Sequence, residues 1–133
     1  MNPSVGELVA AIESTPADAV VVLPNNGNVL LAAGEAVRET ERAAYVVPAR
    51  SLQAGLVALQ EGYQRDDEAA VNVERMTAAL AAVRTGELTR AAKSTTIDGV
   101  DVEEGDWLGM VEDRVVVSDA ALGVAIADRK SVV

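Results

Sequence analysis

A run of five apolar residues, Ala19-Val20-Val21-Val22-Leu23, breaks abruptly into Pro24-Asn25-Asn26-Gly27-Asn28 and then into helix-like sequence. A short valine-rich run reads as a strand buried on both faces, and the polar loop after it lies where open parallel sheets place their binding sites. The pattern then recurs. A second strand is expected over Ala44 to Val47, ending at Pro48-Ala49-Arg50-Ser51 before a helical stretch from Leu52 to Gln60. Two consecutive strand-turn-helix units imply parallel strands with right-handed crossovers, which sets the asparagine loop beside the Arg50 loop at one sheet edge. The fold class is therefore α/β, with parallel βα units in a Rossmann-like sheet.

The flanking sequence fills in the rest. Ser4-Val5-Gly6-Glu7 has the spacing of a capping box, and Val5, Leu8, Val9 and Ile12 follow at helical spacing, predicting an amphipathic helix to about Ser14. The helix after the asparagine loop should run from about Asn28 to Thr40, with Asn26 or Asn28 as its cap. Gly62 to Asp67 is a polar connector, and Val73, Met76, Leu80 and Val83 predict another packed helix from Asn72 onward. From Thr85 the texture changes. Turn residues punctuate β-type runs at Leu88 to Thr96, Val100 to Val102, Trp107 to Val111 and Arg114 to Val117, which reads as a small antiparallel β-meander. Ser118-Asp119 then resembles the cap of a C-terminal helix, Ala120 to Ala127, followed by a tail to Val133. The 133 residues are expected to form a single domain of three stretches, 1–84, 85–117 and 118–133, and the abrupt ending suggests a fragment of a longer domain.

Composition narrows the chemistry. The chain has no cysteine and no histidine, which removes thiol nucleophiles, Ser-His-Asp triads, thiolate zinc sites and imidazole acid-base catalysis together. Aromatic residues make up only 2%, so the core must be built from aliphatic side chains and many alanines, with close helix-to-sheet approach. A net charge of −10 repels phosphate backbones and anionic lipid, making nucleic acid an unsuitable partner. The N-terminus lacks a basic region followed by an apolar core, and no apolar run approaches spanning length. A cytoplasmic location without membrane insertion is the expectation.

Four features merit weighing as sites. The loop Pro24 to Asn28 offers helix N-terminal amides and uncharged asparagine side chains to an anion or polar ligand, although Asn and Gly also suit a plain turn. Arg50, between strand and helix, is placed to reach a phosphate or carboxylate, or is a surface arginine. Thr95, Thr96, Asp98, Asp101, Glu103, Glu104 and Asp106 form an acidic, hydroxyl-rich run compatible with magnesium or with turns, without the spacing of a calcium loop. Trp107 fits either a partner anchor or packing beneath the meander. Neither a dinucleotide-binding glycine motif nor a Walker-type loop occurs.

Taken together, Met1-Asn2-Pro3-Ser4, Val22 to Asn28, Val46-Val47-Pro48-Ala49-Arg50-Ser51-Leu52-Gln53-Ala54-Gly55, Arg84-Thr85-Gly86-Glu87 and Ile97-Asp98-Gly99 resemble the C-terminal domain of the bacterial fatty acid kinase, a dihydroxyacetone-kinase-like protein. The resemblance implies that ATP and magnesium belong to a separate kinase domain, and that no cofactor is held by this one. It further implies a domain that is not an enzyme in isolation. That domain would dock a DegV-like fatty-acid-binding protein, whose acyl carboxylate is phosphorylated elsewhere in the kinase for phospholipid synthesis. Asn25, Asn26, Asn28, Arg50 and Ser51 become the expected ligand or partner-binding residues, with no catalytic and no metal-binding residue among them. The competing expectation is a small phosphate-ligand-binding or phosphatase-like domain using the strand-end loops, with Asp98 or Asp106 and magnesium. A homodimer is a further candidate assembly.

Overall fold

The computed structural model describes residues 2–112, 114–123 and 125. They fall into two compact units, Met1–Val83 and Arg84–Val133.

The first unit opens with helix α1 (Val5–Ser14), fixed by the expected capping box: Ser4 Oγ accepts from the Glu7 N–H, and the Glu7 carboxylate accepts from the Ser4 N–H at 2.8 Å. Strand β1 (Ala19–Val22) leads through the asparagine loop and a 3-10 turn (Gly27–Val29) into α2 (Leu30–Glu39). Strand β2 (Ala43–Val46) then leads into α3 (Leu52–Gly62), and α4 (Ala69–Leu80) completes the unit. β1 and β2 are parallel, with Val21 opposite Tyr45. Among the described residues this pair is the whole of the parallel pairing.

Alternation along the strands sends Val21 and Leu23 against a cluster of buried Val47, Ala58 and Met76, joined by Val73 and Leu80 of α4. Complete burial of Val47 and Met76 contributes about 1.5–3 kcal/mol each. α3 and α4 pack closely because Gly62 carries no side chain: a β-carbon there would lie 2.5 Å from the Met76 Cα. The close approach seen here is between two helices, whereas the composition led to the expectation of close helix-to-sheet approach. α4 starts at Ala69, ahead of the expected Asn72, because its cap, Glu68, makes no side-chain cap bond and leaves no sequence signal. Asn72 instead lies inside the helix, 2% exposed, and ties the connector down: its Oδ1 accepts from the Gln64 N–H at 2.7 Å, and its Nδ2 donates to the carbonyls of Gln64 and Asp67.

The second unit holds an antiparallel sheet of β3 (Gly86–Arg90), β6 (Trp107–Val111) and β7 (Arg114–Asp119), in the order β3-β6-β7. The hairpin of β4 (Thr95–Ile97) and β5 (Val100–Val102) forms its own two-stranded sheet. The expected meander is thus interrupted. The run Leu88 to Thr96 splits at Ala91, whose N–H donates to the Asp106 carbonyl and whose carbonyl accepts from the Gly105 N–H. The hairpin turns at Asp98 and Gly99, both at positive φ (54° and 82°), as a tight two-residue turn requires. Ala91, Val102, Leu108 and Val115 form the core of this unit. Asp119 Oδ1 accepts from the Ala121 N–H, in keeping with a cap, but the expected helix from Ala120 to Ala127 and the tail to Val133 lie for the most part outside the described residues.

Candidate functional site

The two strand-end loops of the first unit meet. At their junction Asn25 adopts a left-handed backbone (φ 54°), a conformation few residues other than glycine and asparagine accept. Its carboxamide lies over the first turn of α3, in the space that a side chain on Gly55 would fill: a β-carbon on Gly55 would sit 2.0 Å from Asn25 Oδ1 and 2.8 Å from its Cγ. Asn25 Oδ1 is buried with no hydrogen-bond partner among the described residues. A non-glycine residue at positive φ and an unpaired buried acceptor each cost stability, and such violations concentrate at functional sites.

Asn26 caps the 3-10 turn, its Oδ1 accepting from the Asn28 N–H at 2.9 Å, and its Nδ2 donates to Asn2 Oδ1 at 3.4 Å. Against the expectation that one of the two asparagines caps α2, neither does so directly: Asn26 caps the 3-10 turn that precedes it, α2 begins behind Val29 with no side-chain cap, and Asn28 is exposed. Arg50 reaches across to the same loop, with its Nη1 3.4 Å from where a β-carbon on Gly27 would stand. Ser51 caps α3: its Oγ accepts from the Ala54 N–H at 3.1 Å, which leaves its hydroxyl proton free to donate. The next amides, those of Leu52 and Gln53, have no acceptor within the helix by geometry alone.

Arginine usage in this unit sharpens the picture. Arg38 pairs with Glu35, Arg42 donates to the Ala17 and Glu13 carbonyls, and Arg75 holds Asp67 at 2.6 Å and the Gly62 carbonyl at 2.9 Å. Arg50 is exposed and, like Arg65 of the polar connector, makes no hydrogen bond or ion pair among the described residues; of these two it is Arg50 that stands beside the asparagine loop. An unpaired guanidinium, a helix N-terminus and asparagine side chains make a donor-rich corner suited to an anionic or polar group. No nucleophile with a neighbouring base stands among these residues.

The acidic run of the second unit is engaged otherwise. Asp98 Oδ2 accepts from the Val115 N–H at 2.9 Å, and Asp106 Oδ2 accepts from the Ser118 hydroxyl at 2.9 Å. Among the described residues no group of three His, Cys, Asp or Glu is placed to hold a metal ion. Trp107 is half-buried on β6, with the Arg90 guanidinium 4.4 Å above its ring. Sequence reasoning chose the five loop residues but missed Gly27 and Gly55, which make room for Arg50 and Asn25. The signal for Gly55 was present as a glycine inside a helical pattern.

The described residues thus form an α/β unit whose two strand-end loops bring Asn25, Asn26, Arg50 and Ser51 to one polar corner. The chain belongs to the FakA-like C-terminal family, the C-terminal domain of fatty acid kinases of that type, whose profile matches residues 1–128. It is 38% identical over 120 residues to an uncharacterized protein of Staphylococcus saprophyticus, an alignment covering 90% of this chain and 22% of that protein. Protein YloV of Bacillus subtilis is 35% identical over 116 residues, 87% of this chain and 21% of its own length. An uncharacterized protein of Staphylococcus aureus is 34% identical over 120 residues, with 90% and 22% covered. The chain spans about a fifth of the length of these relatives. Among the described residues no helix is long and apolar enough to cross a membrane.

Proposed function

We propose that this chain is the docking module of a fatty acid kinase, binding a DegV-like fatty-acid-carrying protein so that its acyl carboxylate is phosphorylated by a separate kinase domain holding ATP and magnesium. Rate enhancement by this part of the protein is then a matter of position: it brings one reactant to the other. The parallel pair β1-β2 and its helices serve as the start of a Rossmann-like sheet, and the protein works in the cytoplasm. The observation that carries the reading is the unpaired Arg50 guanidinium beside the asparagine loop, in a family described as part of a fatty acid kinase. The engagement of Asp98 and Asp106 within their own unit favours docking over phosphate-ester hydrolysis.

Titration calorimetry of the chain with the fatty-acid-loaded DegV-like protein of the same cell tests this. Arg50 is exposed, so Arg50→Ala leaves the fold intact and should weaken binding by roughly tenfold or more, the scale of a lost charge-assisted hydrogen bond. Equal affinity of the variant, or no saturable binding by the parent chain, overturns the assignment.

A further inference from the structure

The parallel pair β1-β2 is an unfinished sheet. Parallel strands are ordinarily enclosed, covered by helices on both faces and flanked by further strands. Here two strands stand alone among the described residues, and no residue of the wholly apolar Ala19–Val22 is fully buried. The ladder shows which groups are left over. The Val47 N–H donates to the Val22 carbonyl at 3.0 Å, and Val22 lies opposite Val46. In a parallel ladder a residue turns its N–H and its C=O to the same neighbour, and successive residues alternate sides. Val20 and Val22 therefore face β2, whereas the N–H and C=O of Val21 point away from it, with no partner among the described residues. On β2 the same alternation turns Ala44 and Val46 outward. Neither strand carries the proline or charge that ordinarily blocks pairing at a free edge.

Handedness separates the two edges. α3 and α4 pack on the face that bears Val21, Leu23 and Val47. α2 packs against β2 and α1, and its buried Ala33 and Ala36 lie outside that cluster, which places α1 and α2 on the opposite face. By the right-handed rule the crossover β1-α2-β2 moves the chain one place along the sheet. α1 lies beside α2 and delivers the chain to β1, so the same rule sets a parallel strand that feeds α1 one place back, on the free edge of β1 and not on that of β2.

The entry to α1 lies at the matching end of the sheet. Asn26 Nδ2 donates to Asn2 Oδ1 at 3.4 Å, so Asn2 stands beside the loop that leads from β1 into α2. Its surroundings repeat the layout of the other two loops: Pro3, Pro24 and Pro48 each precede, by no more than three residues, a capping side chain, that of Ser4, Asn26 or Ser51. Asn2-Pro3-Ser4 thus has the build of a third strand-end loop.

We propose that the free edge of β1 seats a third parallel strand, an extended apolar segment that runs directly into Asn2-Pro3-Ser4, in the order third strand, β1, β2. The chain spans about a fifth of the length of its relatives, so those proteins hold polypeptide beyond the shared stretch to supply such a strand. Val21 gains two ladder bonds, and Asn2 joins the polar corner. The inference rests on the reading of β1-β2 as the start of a larger sheet and does not depend on the docking partner.

Amide hydrogen exchange followed by NMR tests this on two proteins. One is the chain alone; the other carries, ahead of Met1, the roughly ten residues that lead into the corresponding helix of Bacillus subtilis YloV, a strand's length with its turn. In the chain alone Val21 should exchange roughly tenfold or more faster than Val20 and Val22, the scale of a missing ladder bond. Equal protection means that the edge is already closed and overturns the proposal. In the extended chain Val21 should slow by roughly tenfold or more, with parallel cross-strand contacts to the added residues, while Ala44 and Val46 keep their rates. An unchanged Val21, an antiparallel pairing, or protection gained at Ala44 and Val46 instead each overturns it. Calorimetry with the DegV-like protein reads the docking role separately, so the failure of one is distinct from the failure of the other.

Discussion

Gly55→Ala should destabilise the first unit, although the same change inside an ordinary exposed helix stabilises by about 1 kcal/mol. The new β-carbon would stand 2.0 Å from Asn25 Oδ1, about 1.5 Å short of an ordinary contact. Cγ and Nδ2 lie at 2.8 Å and 3.0 Å, so rotating the amide does not clear the space and the whole side chain must leave. Overpacking of this kind costs about 2–3 kcal/mol, which against the helix gain leaves a net loss of about 1–2 kcal/mol. Asn25→Gly has the opposite sign: it removes a buried unpaired oxygen and suits φ 54°, for a gain on the order of 1 kcal/mol. On that background Gly55→Ala should recover its ordinary gain, giving a coupling of about 2–3 kcal/mol across the double-mutant cycle. Urea unfolding followed by the far-UV helical signal is the right assay, because α1 to α4 all lie in the first unit whereas Trp107 reports on the second. If Gly55→Ala stabilises the parent and the Asn25→Gly background equally, the contact and the reasoning built on it are wrong.

Asn72→Ala strips three bonds from the connector, among them the acceptor of the Gln64 N–H, so it should cost about 2–4 kcal/mol in urea unfolding at unchanged m value. The Glu7 carboxyl is held below its ordinary value of 4.5 by bonds from the Ser4 backbone and then the Ser4 side chain. Its folded-state value is depressed, so its contribution is present above 4.5 and fades as pH falls through the folded value; Ser4→Ala should raise the Glu7 midpoint in an NMR titration. Arg90→Ala removes the cation above Trp107 and the bond to the Gly105 carbonyl, and should change tryptophan emission while costing the second unit about 0.5–1 kcal/mol in unfolding followed by that emission.

Local rules made most of the first unit legible. Ser4 and Glu7 announced α1, and the valine run with its repeat announced β1, β2 and the meeting of their loops, because each signal lies within a few residues of what it specifies. The start of α4 was not legible, since no side chain caps it and Asn72 bonds to residues up to eight positions away. The split of the predicted strand at Ala91 depends on backbone bonds to Gly105 and Asp106, more than a dozen residues downstream. For the site, residue types picked out Asn25 and Arg50, but not which way the loops face. Gly27 and Gly55, silent as chemistry, supply the space that lets those side chains approach. The outward leucines of α3 escaped because apolar residues at helical spacing are read as core, and only the packed structure shows alanine and glycine holding the inner face.

That division within α3 separates two properties which most helices bind together. Anchorage depends on Ala54, Gly55, Ala58 and Gly62, all buried, with no room for a β-carbon at either glycine unless a neighbour moves, and so places almost no demand on Leu52, Leu56 and Leu59 facing away. The outer face is consequently a rewritable label on a fixed mount. Substitutions there alter what the helix meets in solution without passing through an unfolded or loosened intermediate, so a change of associate can be reached one residue at a time.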